Sequence, residues 1–273
     1  MKLPKLKSSI KSINLKSLRL KRKPKRASER TESSPVCFIT GGSGRLGKAM
    51  VLALAKRGWR VCFTYRSSRE EALETLSELN AFAPDAKMIH CDISKVSSIK
   101  RAFMFFRRRF ERLDLMICNA SNFFPTPLPT VSEKDWDSLV DTNLKGTFFT
   151  MQEAAKMMMK QEFVSRMITM SDVSAELVWR NYAPYTASKV GVQHLTKIFA
   201  KEFAPKILVN SIAPGTLLLH EERDKQYEKD IVEKIPLRRI GSPNDVVNAM
   251  LFLTENDYIT GHILSVDGGR LLY

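Results

Sequence analysis

From Pro35 onward, short runs rich in β-branched and aromatic residues alternate with longer amphipathic stretches, the rhythm of successive β-α units. Residues 37–40, 59–65, 86–91 and 113–119 read as four strands, and 166–171, 206–212 and 263–266 as three more. These runs are apolar at nearly every position rather than at alternate ones, which suits strands covered on both faces of a parallel sheet. Helical periodicity fills the intervals near 46–57, 69–82, 95–110, 133–160, 184–203 and 243–253. The alternation predicts one α/β domain over residues 35–273. It is a doubly wound parallel sheet of about seven strands with helices on both faces, and ligands are expected at the carboxyl ends of the strands.

Charge changes this picture at one end only. The chain of 273 residues carries a formal net charge of +15, but residues 1–34 hold 12 Lys/Arg against Glu29 and Glu32. The remainder is only mildly basic, which argues against a nucleic-acid-binding face on the folded domain. Residues 1–34 are rich in Ser and Lys and read as a disordered extension. Leu3, Leu6, Ile10 and Ile13 share one helical face between lysines, so the extension also reads as an organellar transit peptide, an anionic-membrane contact or a nucleic-acid arm. Neither a membrane-spanning apolar stretch nor a secretory h-region is evident. Cys37, Cys62, Cys91 and Cys118 are 25, 29 and 27 residues apart, one per predicted strand, with no zinc-binding C-x-x-C pair. They are expected to be buried and reduced, in a cytoplasmic protein that holds no metal.

Gly41, Gly42, Gly44 and Gly47 lie between the first strand and the helix that opens near Leu46. In that setting glycines let the backbone turn tightly and approach a pyrophosphate, while the helix amino terminus offers N–H groups and partial positive charge. The second strand ends in Tyr65-Arg66-Ser67-Ser68 with no acid to take ribose hydroxyls. A guanidinium beside two hydroxyls suits a 2′-phosphate, so NADPH is expected over NADH. Asp92, next to Ile93, reads either as an acceptor for the adenine amino group or as a cap of the following helix.

Thr40-Gly41-Gly42-Ser43-Gly44-Arg45-Leu46-Gly47, Asn119-Ala120-Ser121, Asn143, Tyr185-Thr186-Ala187-Ser188-Lys189 and Pro214-Gly215 together resemble the short-chain dehydrogenase/reductase family, from about Val36 to the carboxyl terminus. The resemblance implies a Rossmann-like NADP-binding domain, a homotetramer joined through the helices near 133–160 and 184–203, and cofactor contacts from these motifs and from Ile93. Three departures are similar to the pteridine reductases. Arg45 replaces a glycine of the loop, Asn119-Ala120-Ser121 continues into Asn122-Phe123-Phe124-Pro125-Thr126-Pro127, and Asp172 replaces the serine found thirteen residues before the catalytic tyrosine. That resemblance implies that Arg45, Ser121, Phe123, Asp172 and Tyr185 surround a pterin, with Phe123 holding it against the nicotinamide.

Tyr185 and Lys189 are i and i+4 on a predicted helix, so both emerge on one face. An ammonium beside the phenol lowers its pKa and can hold the nicotinamide ribose, whereas an ionised Asp172 opposes tyrosinate and keeps the proton available for a reduced substrate. Asn143 resembles the family's anchor of a proton relay at a helix irregularity. Leu217-Leu218-Leu219 and the charged stretch from His220 to Lys234 read as a substrate lid. Met157-Met158-Met159 reads as filling an interhelical or subunit contact. The expected activity is NADPH-dependent reduction of a dihydropterin or dihydrofolate to its tetrahydro form. The alternatives are a carbonyl reductase, such as a 3-oxoacyl-thioester reductase of fatty-acid synthesis, and an NADPH-binding scaffold with a basic membrane- or nucleic-acid-binding tail.

Overall fold

The computed structural model describes residues 34–217 and 225–272. The readings of the basic extension and of Leu218, Leu219 and His220 lie outside them. Seven parallel strands form one sheet: β1 (Val36–Ile39), β2 (Arg60–Tyr65), β3 (Lys87–His90), β4 (Leu115–Cys118), β5 (Ser165–Met170), β6 (Ile207–Pro214) and β7 (Ile263–Val266). Their order is β3-β2-β1-β4-β5-β6-β7, so the winding reverses between β1 and β4. Here Cys37 pairs with Val61 of β2 on one side and Leu115 of β4 on the other. A crevice opens at the carboxyl ends at such a reversal.

Helices cover both faces: α1 (Arg45–Lys56), α2 (Arg69–Asn80), α3 (Val96–Arg107), α4 (Glu133–Val140), α5 (Thr147–Met158), α6 (Ala183–Phe203), α7 (Lys225–Glu233) and α8 (Pro243–Glu255). Alternation along β1 sends Phe38 to one core, where it stacks on Phe106 of α3 at 4.8 Å, and Cys37 and Ile39 to the other with Met50, Leu54 and Met250. Local chemistry sets the helix starts. Ser132 accepts from the Asp135 N–H at 3.1 Å to begin α4, and Ser242 with Asp245 forms a capping box around Pro243 at the start of α8.

The structure departs from the pattern in two places. The helix expected over 133–160 is split by a π-helical segment, Asp141–Gly146. Part of the expected lid forms α7, a helix whose charged residues outnumber its apolar ones. The four cysteines are buried and form no disulfide, and burial pushes the Cys118 thiol up to about 12. Met158 is fully buried in the core, Met157 packs against it, and Met159 is exposed. Among the described residues no helix is long and apolar enough to cross a membrane.

Candidate active site

At the reversal point, β1, β2, β4 and the loops after them wall a groove of about 310 Å³. The glycine loop is fixed by the fold at three of its four glycines. Gly41 has φ +65°, a Cβ on Gly42 would lie 2.5 Å from the Phe63 side chain, and one on Gly47 would lie 2.0 Å from the Gly41 carbonyl oxygen. Gly44 differs, because a Cβ there would meet nothing within 4 Å. It lines the groove at the amino terminus of α1, an open cradle of the kind a pyrophosphate fills. Asn119 holds the loop in place, donating from Nδ2 to the carbonyls of Thr40 at 3.0 Å and Gly41 at 2.9 Å.

Leu46, Tyr65, Arg66, Ser67, Ser68, Ile93 and Ala120, expected at the cofactor, and Ser121, expected at the substrate, line the same groove. Ser68 is the N-cap residue of α2, yet its hydroxyl makes no capping bond. Arg66 and Ser68 therefore fit a 2′-phosphate, the first by charge and the second by an uncommitted hydroxyl. Glu71, Asn122 and Thr142 also line the wall, and the sequence assigns none of them a role there. Glu71 sits in the first turn of α2, where the helix dipole favours an acid, and that local reason masks its place in the groove.

Other expected cofactor residues lie outside the lining of this groove. Asp92 Oδ1 accepts from the Ser94 N–H at 3.1 Å and its hydroxyl at 2.7 Å, a local turn that precedes α3 without capping it, since the N-cap of that helix is Lys95. Arg45 opens α1 with its side chain exposed. Pro214 and Gly215 close the β6–β7 junction, where a Cβ on Gly215 would lie 2.8 Å from Asp267 Cα.

Beyond the end of β5, the Tyr185 hydroxyl donates to Asp172 Oδ2 at 2.8 Å, and Asp172 Oδ1 accepts from the Ser174 N–H at 2.7 Å. Tyr185 is buried. Burial first, and Asp172 second, push its phenol well above its ordinary range. The lysine effect expected from sequence does not prevail, because Lys189 Nζ stands over the ring, 5.5 Å from its centroid, and donates to the Met170 carbonyl at 3.0 Å. Burial lowers Lys189 itself to about 8, with Asp172 partly opposing. Folding therefore releases the Lys189 proton more readily than the unfolded chain does. The unfolded state binds the extra proton at this site between pH 8 and about 10.5, so the Lys189 contribution to stability rises with pH across that window, while the raised thiols of Cys62, Cys91 and Cys118 contribute in the opposite direction. With no cofactor added, urea unfolding at pH 8 and pH 10 should show the wild type gaining about 2 kcal/mol relative to Lys189→Met over that step.

Asn143 lies in the π-helical segment, where a widened turn carries it to the loop after β4. Its Oδ1 accepts from the Asn122 N–H at 2.7 Å and the Ser121 hydroxyl at 3.1 Å. Its Nδ2 donates to the Asn122 carbonyl at 2.9 Å and Ser188 Oγ at 3.3 Å. All four hydrogen-bonding positions of the amide are thus filled by protein, and the side chain locks the loop to α6. Phe123 lies beside this lock, 47% exposed, stacked on Tyr182 at 5.0 Å with 5° between planes. It meets Tyr185 edge-on at 4.8 Å. One face of the Phe123 ring is therefore covered, and its position next to the Tyr185–Asp172 pair is fixed.

A parallel sheet whose reversal-point groove adjoins a buried tyrosine and lysine with a half-buried carboxylate defines a dinucleotide-binding α/β oxidoreductase. Residues 43–270 match the family described as enoyl-(acyl carrier protein) reductase. The chain is 32% identical over 240 residues to the 3-oxoacyl-[acyl-carrier-protein] reductase FabG of Staphylococcus aureus, covering 86% of this chain and 97% of that protein. A short-chain alcohol dehydrogenase structure from Sinorhizobium meliloti superposes with a TM-score of 0.81 at 30% identity, covering 87% of this chain and 96% of that one. A single-substitution variant of the actinorhodin polyketide ketoreductase with NADPH gives a TM-score of 0.83 at 25% identity, over 89% of this chain and 100% of that one. The chain belongs to the short-chain dehydrogenase/reductase family and is an oxidoreductase. None of these three relatives is described as a pteridine reductase.

Proposed function

We propose that the protein is an NADPH-dependent reductase whose substrate is a pteridine, taken from the dihydro to the tetrahydro form. The observation that carries this reading is the 2.8 Å hydrogen bond from the Tyr185 hydroxyl to Asp172. When bound, the dihydronicotinamide supplies a hydride to a ring carbon of a C=N bond. The chain's own residues hold the proton that the neighbouring nitrogen takes. Asp172 keeps the Tyr185 phenol protonated and can accept from the amino and ring N–H groups that a pterin presents and a simple ketone lacks. Phe123 offers its uncovered ring face to a flat heterocycle, a preference worth about 1 kcal/mol beyond area burial. Support for NADPH comes from Arg66 and the free hydroxyl of Ser68 in the groove wall.

A second reading has a specific observation in its favour. The curated relatives are 3-oxoacyl-[acyl-carrier-protein] reductases at 30–32% identity, and overall similarity supports ketone reduction on a thioester better than it supports pterin chemistry. In that case Asp172 would still hold Tyr185 protonated, but its capacity to accept from a substrate would go unused. Following NADPH absorbance with dihydrobiopterin, dihydrofolate and an acetoacetyl thioester in turn separates the two. The pteridine reading expects turnover of a dihydropterin and a fall of about a hundredfold in kcat/KM in Asp172→Ser, the scale of a lost positioned carboxylate. Thioester turnover alone, retained or improved in Asp172→Ser, would establish the second reading and sink the first. Homotetramer formation through α5 and α6 belongs to the same proposal. It is supported by the apolar surface of Phe148, Met159, Ile198 and Phe203 on and beside those helices.

A further inference from the structure

We propose that Asn122 determines cofactor preference by holding Arg66 in the groove, aimed at the 2′-phosphate. This inference rests on the NADPH reading above. Arg66 follows β2 and Asn122 lies in the loop after β4, with β1 and its glycine loop between them in the sheet. Arg66 Nη1 donates to Asn122 Oδ1 at 3.2 Å across that gap, and both residues line the groove. The Asn122 amide has one orientation available. Its Nδ2 is spent on the Ser138 carbonyl at 3.1 Å, Ser138 Oγ at 3.2 Å and Thr142 Oγ1 at 3.1 Å, which turns the oxygen toward Arg66.

Asn122 is the only hydrogen-bond partner of the Arg66 side chain among the described residues, and it takes one N–H of a fork that has five. The remaining donors stay available to an anion. A solvated arginine gives up considerable rotamer freedom when it grips a phosphate, and one held in place beforehand gives up less. Asn122 itself is anchored through its backbone, whose N–H and carbonyl both pair with the Asn143 side chain. Arg66 is thereby oriented from a loop that the Asn143 side chain holds on both backbone groups, and Asn122 is a positioning residue that acts on the cofactor through Arg66.

Calorimetric titration with NADPH and with NADH tests the assignment in wild type, Asn122→Ala, Arg66→Ala and the double variant. Asn122→Ala should weaken NADPH binding about fivefold and leave NADH within about twofold, because only the phosphate uses Arg66. Arg66→Ala should weaken NADPH by about tenfold or more, and adding Asn122→Ala to it should change NADPH binding by less than about twofold. Equal weakening of both cofactors, or an effect of Asn122→Ala that persists without Arg66, would reduce Asn122 to a loop anchor and overturn the inference. Tighter NADPH binding in Asn122→Ala would overturn it too, since Arg66 would then be an obstruction. If Arg66→Ala leaves NADPH binding unchanged, the phosphate seat in the proposed function fails first. NADH binding reports an intact groove in every variant. Asn122→Ser, which keeps a hydroxyl toward Ser138 but is too short for Arg66, replaces the alanine variant if that chain does not fold.

Discussion

Tyr185→Phe should lower kcat by about a thousandfold while leaving the affinity for NADPH within about twofold. A positioned proton donor contributes on the order of 10²- to 10⁴-fold, and Tyr185 is the buried hydroxyl that reaches Asp172. The variant keeps the ring, so the edge-on contact with Phe123 and the seat under Lys189 remain. Only the hydroxyl is lost, together with the partner of Asp172 Oδ2. Single-turnover oxidation of bound NADPH in the presence of substrate gives the chemical step directly, and a separate titration gives the affinity. Retention of more than about a tenth of wild-type kcat would assign proton delivery to another group.

Two glycines a turn apart should respond in opposite ways. Gly47→Ala places a methyl group 2.0 Å from the Gly41 carbonyl oxygen and 2.9 Å from Gly42 Cα, both backbone atoms that cannot swing aside. Helix α1 would have to lift away from the loop, at a cost of about 3 kcal/mol or more, the upper end for overpacked sites. Gly44→Ala meets nothing within 4 Å and has an ordinary extended backbone, φ −77° and ψ 156°, so the thermal midpoint should stay where it is. Its methyl group would occupy the cradle, and NADPH affinity should fall about tenfold, as expected where backbone must approach a pyrophosphate closely. Thermal unfolding and cofactor titration of the two variants check the contrast. A destabilised Gly44→Ala, or a Gly47→Ala as stable as wild type, would show that the loop is set by something other than these contacts.

The sheet was legible because β1 and β4 are wholly apolar and every other strand carries consecutive apolar residues, which face both sides of the sheet as a covered parallel strand requires. Each expected strand falls within two residues of the observed one at either end. Spacing on one helix put Tyr185 and Lys189 on one face, and the family resemblance marked the pair and the position of Asp172 before it. What spacing could not say is where charge balances. Lys189 lies over the ring rather than at the hydroxyl, so burial and Asp172 govern the phenol. Asp92 is ambiguous in the sequence because a short acid after a strand serves a turn as well as a ligand, and in the fold its Oδ1 serves the turn at Ser94. The role of Asn122 leaves no trace in the sequence, since its partners Arg66, Ser138, Thr142 and Asn143 are scattered along the chain and converge only in the fold.

The widened turn between α4 and α5 also sets the rotational phase of one helix against the other. Leu139 of α4 and Met151 of α5 are both fully buried, and they are twelve residues apart. At about 100° per residue an unbroken α-helix would point them about 120° apart, so one of the two would leave the interior. A π-type turn absorbs one residue, and the remaining eleven steps bring the pair back to within about 20°. Asn143 thus occupies a surplus position in the helix. Leu139 and Met151 both face the interior because one residue of the segment stands outside the count, so the irregularity that carries Asn143 is also what keeps the two halves correctly turned.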